Sequence, residues 1–136
     1  MIYLLDTNAV IALLKKSPQS VRQNLLVAKS RTHSVCLSSI SLQELWFGVR
    51  RSERQKENTA RLQRLLDEGL PIEVFDPEDA KVAGFLRGDL ADVGTPIGPY
   101  DVLIAAQALR RSATLVTANE REFARVKGLK QENWAV

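Results

Sequence analysis

One stretch near the amino terminus decides the expected fold. It reads Ile2-Tyr3-Leu4-Leu5-Asp6-Thr7-Asn8-Ala9-Val10-Ile11-Ala12-Leu13-Leu14. The first four residues form a continuous apolar run, which is typical of a strand buried on both faces. Aspartate, threonine and asparagine then supply the residue types that cap helices, and the apolar residues resume after them. The stretch therefore predicts a buried strand that leads directly into a helix.

The same alternation continues along the chain. Apolar runs predict further strands at 35–38, 72–75 and 114–117, and a weaker terminal strand at 133–135. Strands separated by helices, in apolar runs rather than in a period of two, indicate a parallel sheet with helices on both faces. We therefore expect an α/β fold with four to five parallel strands, formed by a single domain over residues 1–136.

Helical patterns fill the segments between these strands. One runs from Pro18 to about residue 29, another opens at Ser41, and a charged stretch at 50–57 leads into a further helix that completes a hairpin. Beyond the third strand, apolar spacing marks a helix up to Leu90. Pro99 suits the first turn of the next helix, whose body is apolar on nearly every side and is therefore expected at the centre of the fold. A short helix follows Asn119.

Composition narrows the class of protein and of site. The chain has 136 residues, 19 basic and 16 acidic side chains and a net charge of +3, which favours a polyanionic partner only weakly. Cys36 is the only cysteine and His33 the only histidine, so neither an intrachain disulfide nor a zinc site of these ligands is possible. The single cysteine indicates a reducing compartment, so we expect a cytoplasmic protein. The opening residues lack a basic leader and meet Asp6 at once, which does not fit a signal peptide, and no apolar run approaches the ~20 residues that span a bilayer.

Acidic and amide side chains follow several of the predicted strands. Asp6 follows the first strand, Glu44 lies in the first turn after the second, Asp101 opens the central helix and Asn119 follows the fourth strand. Parallel α/β sheets bind ligands beyond the carboxyl ends of their strands, where all four positions open. Two or three carboxylates, together with substrate phosphate, are sufficient to hold Mg²⁺ or Mn²⁺.

Each of these residues also has a purely structural interpretation. Asp6 and Asn119 suit the N-caps of the helices that follow them, and Asp101 lies where an acid favours the helix dipole. Ser41 and Glu44 have the spacing of a capping box. Spacing alone therefore leaves both a metal site and a set of helix caps open.

Four motifs in order along the chain carry a more specific signal. They are Tyr3-Leu4-Leu5-Asp6-Thr7-Asn8, Ser38-Ser39-Ile40-Ser41-Leu42-Gln43-Glu44-Leu45, Ile97-Gly98-Pro99-Tyr100-Asp101-Val102-Leu103-Ile104-Ala105-Ala106 and Leu115-Val116-Thr117-Ala118-Asn119. A tail follows them, with Arg121-Glu122-Phe123, Gly128-Leu129 and Glu132-Asn133-Trp134 in order. In these motifs and in this tail, the chain resembles the PIN-domain family. It is most similar to the VapC toxin subgroup of type II toxin–antitoxin systems, over nearly its whole length. The resemblance implies a PIN-like three-layer sandwich.

The same resemblance implies an activity and a set of site residues. It implies a magnesium-dependent endoribonuclease, with Mn²⁺ able to substitute, whose catalytic and metal-ligating residues match Asp6, Glu44 and Asp101. Thr117 and Asn119 would lie at the edge of the site. Asn8 would support the site. Asn119 stands at a position that is often acidic in the wider family, and the nearby Glu120 and Glu122 are not assigned as ligands.

The implied partners are an RNA substrate, a VapB-type antitoxin and a second copy of the chain. A transfer RNA, including initiator transfer RNA, is one possible substrate. Basic side chains are expected to hold the RNA backbone: Lys15, Lys16, Arg50, Arg51, Arg54, Arg87, Arg110 and Arg111.

Two alternative functions remain open at this point. An aspartyl-phosphate phosphohydrolase also places an acid after a strand beside Mg²⁺, although Asn8 stands where such an enzyme has its second acid. A covalent phosphoryl intermediate on Asp6 would favour it. A catalytically silent RNA-binding module is the second alternative, suggested by Asn119. RNA binding without magnesium-dependent cleavage would favour that module.

Overall fold

The structure is a computed structural model that describes residues 1–136. Strands and helices alternate along the chain as the sequence predicts. They are β1 (Ile2–Leu5), α1 (Thr7–Lys15), α2 (Gln19–Ser30), β2 (Ser34–Ser38), α3 (Ser39–Arg51), α4 (Gln55–Asp67), β3 (Ile72–Glu73), α5 (Pro77–Asp92), α6 (Pro99–Arg110), β4 (Thr114–Val116), α7 (Glu120–Phe123) and β5 (Lys130–Glu132). No helix is both long enough and apolar enough to cross a membrane.

All five strands belong to one parallel sheet, with the order β3-β2-β1-β4-β5. The α/β prediction of four to five parallel strands is confirmed. In chain order, β2 and β3 lie on one side of β1, and β4 and β5 lie on the other side. The strand order therefore reverses between β1 and β4, and ligands of open α/β sheets bind in the crevice at such a reversal.

Helices cover both faces of the sheet because alternate strand residues point to opposite sides. In β1, Tyr3 and Leu5 belong to one buried cluster, whereas Leu4 belongs to the other. In β4, Leu115 lies with Leu4, and Val116 lies with Leu5. The strands are buried on both faces, which explains why their sequences read as continuous apolar runs.

The end of the chain differs from the prediction. The fifth strand is Lys130–Glu132, which pairs with β4, and not residues 133–135. This edge strand is held by backbone hydrogen bonds and carries mainly polar, exposed side chains, so it has no apolar signal. Trp134, which suggested the later position, is buried in the larger core cluster instead. The third strand is also shorter than expected and ends at Glu73.

The helix after β2 begins earlier than the sequence suggested. Ser38 is its N-cap, and the Ser38 hydroxyl accepts a hydrogen bond from the backbone N–H of Ile40 at 3.0 Å. Ser41 lies inside the helix, fully buried, and its Oγ has no hydrogen-bond partner. The capping box proposed for Ser41 and Glu44 is therefore wrong. Glu44 is one turn further into the helix, where its carboxylate does not cap the backbone.

A buried ion network fixes α5 against the end of α6. Asp79 is fully buried, and its Oδ1 accepts hydrogen bonds from Arg110 Nε and Arg111 Nη1, both at 2.7 Å. Burial alone would raise the pKa of Asp79, but hydrogen bonds from the two arginines hold that pKa well below its ordinary value. Arg111 also reaches Glu73 in β3 at 2.9 Å, so the network ties α6 to the sheet.

Candidate active site

The candidate site lies at the carboxyl ends of β1 and β4, where the direction of sheet growth reverses. Asp6 directly follows β1, and its backbone N–H donates to the carbonyl of Val116 at 3.0 Å. Thr117 directly follows β4 and is buried. The two adjacent central strands therefore deliver these residues to one crevice.

Asp6 both caps a helix and faces the acidic cluster. Its side chain is 5% exposed, and its Oδ1 accepts a hydrogen bond from the backbone N–H of Ala9 at 2.8 Å, which caps α1. Burial raises the pKa of Asp6, hydrogen bonds from Thr117 and Ala9 oppose that rise, and the charge of Glu44 adds to it. The structural and the functional interpretations of Asp6 are thus compatible.

Glu44 reaches the same crevice from α3. It is half-buried, and its Oε1 accepts a hydrogen bond from the hydroxyl of Thr7 at 2.8 Å. That bond orients the carboxylate by linking α3 to the first turn of α1. The charge of Glu44 raises the pKa of both Asp6 and Asp101, which identifies it as a member of one electrostatic cluster with them.

Asp101 enters the cluster from the first turn of α6, as the sequence predicts. Gly98 occupies the N-cap position and Pro99 the first helical position, so the loop turns directly into the buried helix. Burial, a hydrogen bond with Glu122 and the charges of Glu122, Glu44 and Asp6 raise the pKa of Asp101 to about 7. Near neutral pH, repulsion between these neighbouring carboxylates therefore favours the protonated form of Asp101.

Glu122 is a member of the cluster that sequence analysis left unassigned. Its Oε1 accepts a hydrogen bond from the backbone N–H of Gly98 at 2.6 Å, and its Oε2 accepts one from the side-chain amide of Asn119. The donation from Gly98 is the main reason that the pKa of Glu122 is lowered, and a hydrogen bond from Asp101 adds to it. In the sequence, Glu122 lies one helical turn after Asn119, a spacing that fits a site residue and a residue of the first helical turn equally well.

The three supporting residues take different positions. Thr117 Oγ1 accepts from the backbone N–H of Asn119 at 2.9 Å and fixes the turn after β4. Asn119 occupies the N-cap position of α7 but forms no capping hydrogen bond through its side chain, so the interpretation as a cap is wrong. Its amide instead orients Glu122. Asn8 is exposed in the first turn of α1, beside Asp6.

The donor set suits a hard divalent cation that keeps part of its water shell. No group of three or more histidine, cysteine or acidic side chains lies in an arrangement that could hold a metal ion by itself. Mg²⁺ does not require one, because it is usually bound through one or two carboxylates, waters and substrate phosphate. Burial and the neighbouring carboxylates raise the pKa of Asp101, so a cation held by Asp101 and Asp6 would stabilise its ionised form.

Comparison with known proteins identifies the family that uses this arrangement. The profile of the PIN domain matches residues 3–129. The chain belongs to the PIN-domain family. All four motifs on which the resemblance rested lie within the matched residues, and only the end of the tail, Glu132-Asn133-Trp134, lies beyond them.

Individual relatives place this PIN domain among the VapC ribonucleases. It is 37% identical over 132 residues to the tRNA(fMet)-specific endonuclease VapC of Salmonella typhimurium, which covers 97% of both chains. It is 42% identical over 135 residues to Ribonuclease VapC2 of Rickettsia felis, covering 98% of both chains. The crystal structure of VapBC2 from Rickettsia felis, bound to a promoter DNA fragment, contains a chain that matches with a TM-score of 0.92 and 38% identity, covering 98% of this chain and 99% of that one.

Proposed function

We propose that this PIN domain is a magnesium-dependent endoribonuclease that hydrolyses RNA phosphodiesters and acts as the toxin of a type II toxin–antitoxin system. The observation that supports this most is the convergence of Asp6, Glu44 and Asp101 from three separate elements on one crevice. The charges of Glu44 and Asp6 raise the pKa of Asp101, and the charge of Glu44 also raises the pKa of Asp6, which supports a cluster of carboxylates. Folding alone does not favour such a cluster, since like charges raise one another's proton affinity.

In this proposal Asp6 and Asp101 hold the ion, and Glu44 holds it either directly or through a water molecule. Bound Mg²⁺, or Mn²⁺ in its place, would supply charge that polarises the phosphodiester and favours the deprotonation of water. We propose catalytic roles for these three residues and supporting roles for Thr117, Asn119 and Asn8.

The surrounding residues hold the carboxylates in place. The backbone N–H of Ala9 donates to Asp6, and the hydroxyl of Thr7 donates to Glu44. Because ligands that are already oriented bind with less loss of side-chain entropy, these bonds favour binding of the ion. The Glu122 carboxylate, held by Gly98, keeps the loop before α6 against Asp101.

The substrate and partners are proposed from the relatives. A relative 37% identical is named for cleavage of tRNA(fMet), so initiator transfer RNA is the first substrate to test. The solved relative is a VapBC complex, so we also propose a VapB-type antitoxin as a partner. We propose further that the chain is one domain over residues 1–136, that it pairs with a second copy, and that it acts in the cytoplasm. Asn8, being an amide, gives no support to the phosphohydrolase alternative.

Cleavage of total bacterial RNA tests the proposed function. Purified protein is incubated with the RNA and Mg²⁺, and new 5′ ends are mapped by sequencing. We expect cleavage at a few sites that EDTA prevents and that the Asp6→Asn variant does not produce. If folded wild-type protein leaves every RNA intact with both Mg²⁺ and Mn²⁺, the nuclease proposal is wrong and the silent RNA-binding module replaces it.

Gly98→Ala should reduce cleavage while leaving the fold intact. A Cβ at position 98 would meet Asp101 Oδ2 at 3.0 Å, and this carboxylate is flexible enough to move aside. The carboxylate would have to move by a few tenths of an ångström, and an error of about 1 Å in a ligand costs about a hundredfold in rate. We therefore expect a smaller fall in kcat, of about 3- to 10-fold.

The matched control for this prediction is Gly84→Ala in α5, where an added Cβ meets nothing within 4 Å. Both variants should keep the wild-type circular dichroism spectrum, and Gly84→Ala should keep wild-type cleavage. Full activity of Gly98→Ala would show that the position of the Asp101 carboxylate does not matter.

A further inference from the structure

Five basic side chains surround a depression between α1, α2 and α4. They are Lys15, Lys16, Arg22, Arg61 and Arg64. The depression has a volume of about 310 Å³, and Glu68 is the single carboxylate that lines it. Arg61 and Arg64 lie three residues apart on α4, which brings them to one face of that helix. We call this depression the basic pocket.

Most of the positive charge in the basic pocket is uncompensated. Arg22 pairs with Glu68 at 3.7 Å, but Lys15, Lys16, Arg61 and Arg64 form no ion pair. Like charges held this close repel one another and oppose folding. An anion bound among them would remove that repulsion.

Two other arginines show the contrast. Arg110 and Arg111, which the sequence suggested as RNA contacts, donate instead to the buried carboxylate of Asp79. Most of their donors are used inside the protein, so these two guanidinium groups are less available to an external phosphate than the unpaired cations of the basic pocket. Sequence patterns gave no means of separating these paired arginines from the unpaired ones.

The basic pocket adjoins a depression that contains one residue of the candidate active site. This second depression, of about 300 Å³, has Glu44 among its lining residues. Leu14, Lys15 and Arg61 line both depressions. The two depressions are therefore neighbours, and Glu44 of the acidic cluster shares one of them with Lys15 and Arg61.

We propose that the basic pocket is a second phosphate-binding subsite, which holds a backbone phosphate of the RNA on one side of the bond that is cut. The proposal rests on the proposed function. A strand lying over Glu44 carries a phosphate at every nucleotide, so it presents further phosphates to the neighbouring cations. Arginine forks and lysine ammonium groups are the side chains that bind phosphate oxygens. The subsite adds affinity and fixes the register of the strand but reads no base.

Salt-dependent RNA binding tests the subsite. The Asp6→Asn variant serves as the background, so that the RNA stays uncut, and fluorescence anisotropy measures its affinity for a transfer RNA at several KCl concentrations. Adding Arg61→Gln and Arg64→Gln, the α4 pair, should weaken binding about tenfold. The slope of log K against log[KCl] should become less steep by about one to two, since each lost phosphate contact lowers its magnitude by about 1. The control pair, Lys81→Gln with Lys127→Gln, removes the same charge from a depression that shares no residue with the basic pocket.

Three outcomes separate the possibilities. The subsite is supported if the α4 pair weakens binding and flattens the salt dependence while the control pair changes the affinity by less than about twofold. It is overturned if the two pairs behave alike. It is also overturned if the α4 pair keeps its RNA affinity but loses affinity for a polyglutamate peptide, because the pocket would then serve an acidic protein segment.

The nuclease proposal is tested separately, by cleavage with the protein that keeps Asp6. If that protein cuts no RNA while the α4 pair still weakens RNA binding, the nuclease proposal fails, and the basic pocket stands only as an RNA-binding surface. If it cuts RNA and the KM for cleavage is unchanged by the α4 pair, the subsite fails and the nuclease stands. Arg61 and Arg64 are exposed, so both pairs of substitutions should leave the unfolding temperature near that of wild type.

Discussion

The Asp101→Asn variant should lose at least about 10³-fold in the rate of RNA cleavage and yet be no less stable than wild type. The amide keeps the shape of the carboxylate but removes the charge that would hold the cation. Its effect on stability has the opposite sign. The pKa of Asp101 is raised to about 7, so above that pH the ionised side chain destabilises the folded state, and the neutral amide removes this cost.

Cleavage rates with saturating Mg²⁺ and thermal unfolding at pH 8 in EDTA measure the two effects on the same protein. Glu120→Gln is the matched control, because it removes one negative charge from an exposed residue of the adjacent short helix. It should keep wild-type cleavage. A variant of Asp101 that cleaves RNA normally, or that unfolds well below wild type in EDTA, would contradict the proposed role.

Asp79→Asn should lower the free energy of unfolding by about 3 kcal/mol, because it leaves the positive charges of Arg110 and Arg111 without their buried negative partner. Asp79 is 0% exposed and accepts hydrogen bonds from both Arg110 and Arg111. Urea unfolding measures the change. Glu78→Gln, an exposed neighbour that forms no ion pair, is the control and should change stability by less than about 0.5 kcal/mol.

The loss should also depend on pH in one direction. The pKa of Asp79 is lowered in the folded state, so its contribution is complete above the unfolded value of about 3.9 and is lost as the pH falls below it. The difference between wild type and Asp79→Asn should therefore stay constant from pH 8 to pH 5 and shrink below about pH 4. If Asp79→Asn does not fold, Glu73→Gln, which removes a more exposed member of the network, should show a smaller loss. Wild-type stability in both variants would show that the network adds nothing.

Sequence patterns predict the centre of this fold better than its edges. The central strands are buried on both faces, so their apolar runs identify them. The edge strand β5 carries polar side chains and depends on backbone hydrogen bonds, which leave no trace in hydropathy. The start of α3 was misplaced because Ser38 and Ser41 are equally suitable caps by residue type, and only the end of β2 decides between them.

The positions of the proposed ligands were predictable where chain topology decides them. Asp6 follows β1 and Asp101 opens α6 at the carboxyl edge of the sheet, as a parallel fold requires, whereas Glu44 lies one turn inside α3. Glu122 could not be assigned in the same way. Its position depends on hydrogen bonds with Gly98 and Asn119, across segments that are distant in sequence.

The acidic cluster draws its members from the first and the last parts of the chain. Asp6 follows β1, whereas Glu122 and the strand Lys130–Glu132, whose last carbonyl accepts a hydrogen bond from the N–H of Thr117 at 2.9 Å, come after β4. The cluster therefore assembles only when β4 and the segments after it have packed beside β1. Its geometry depends on contacts between residues that are distant in sequence, so any change that loosens the β1–β4 pairing should disturb the cluster as well as the fold.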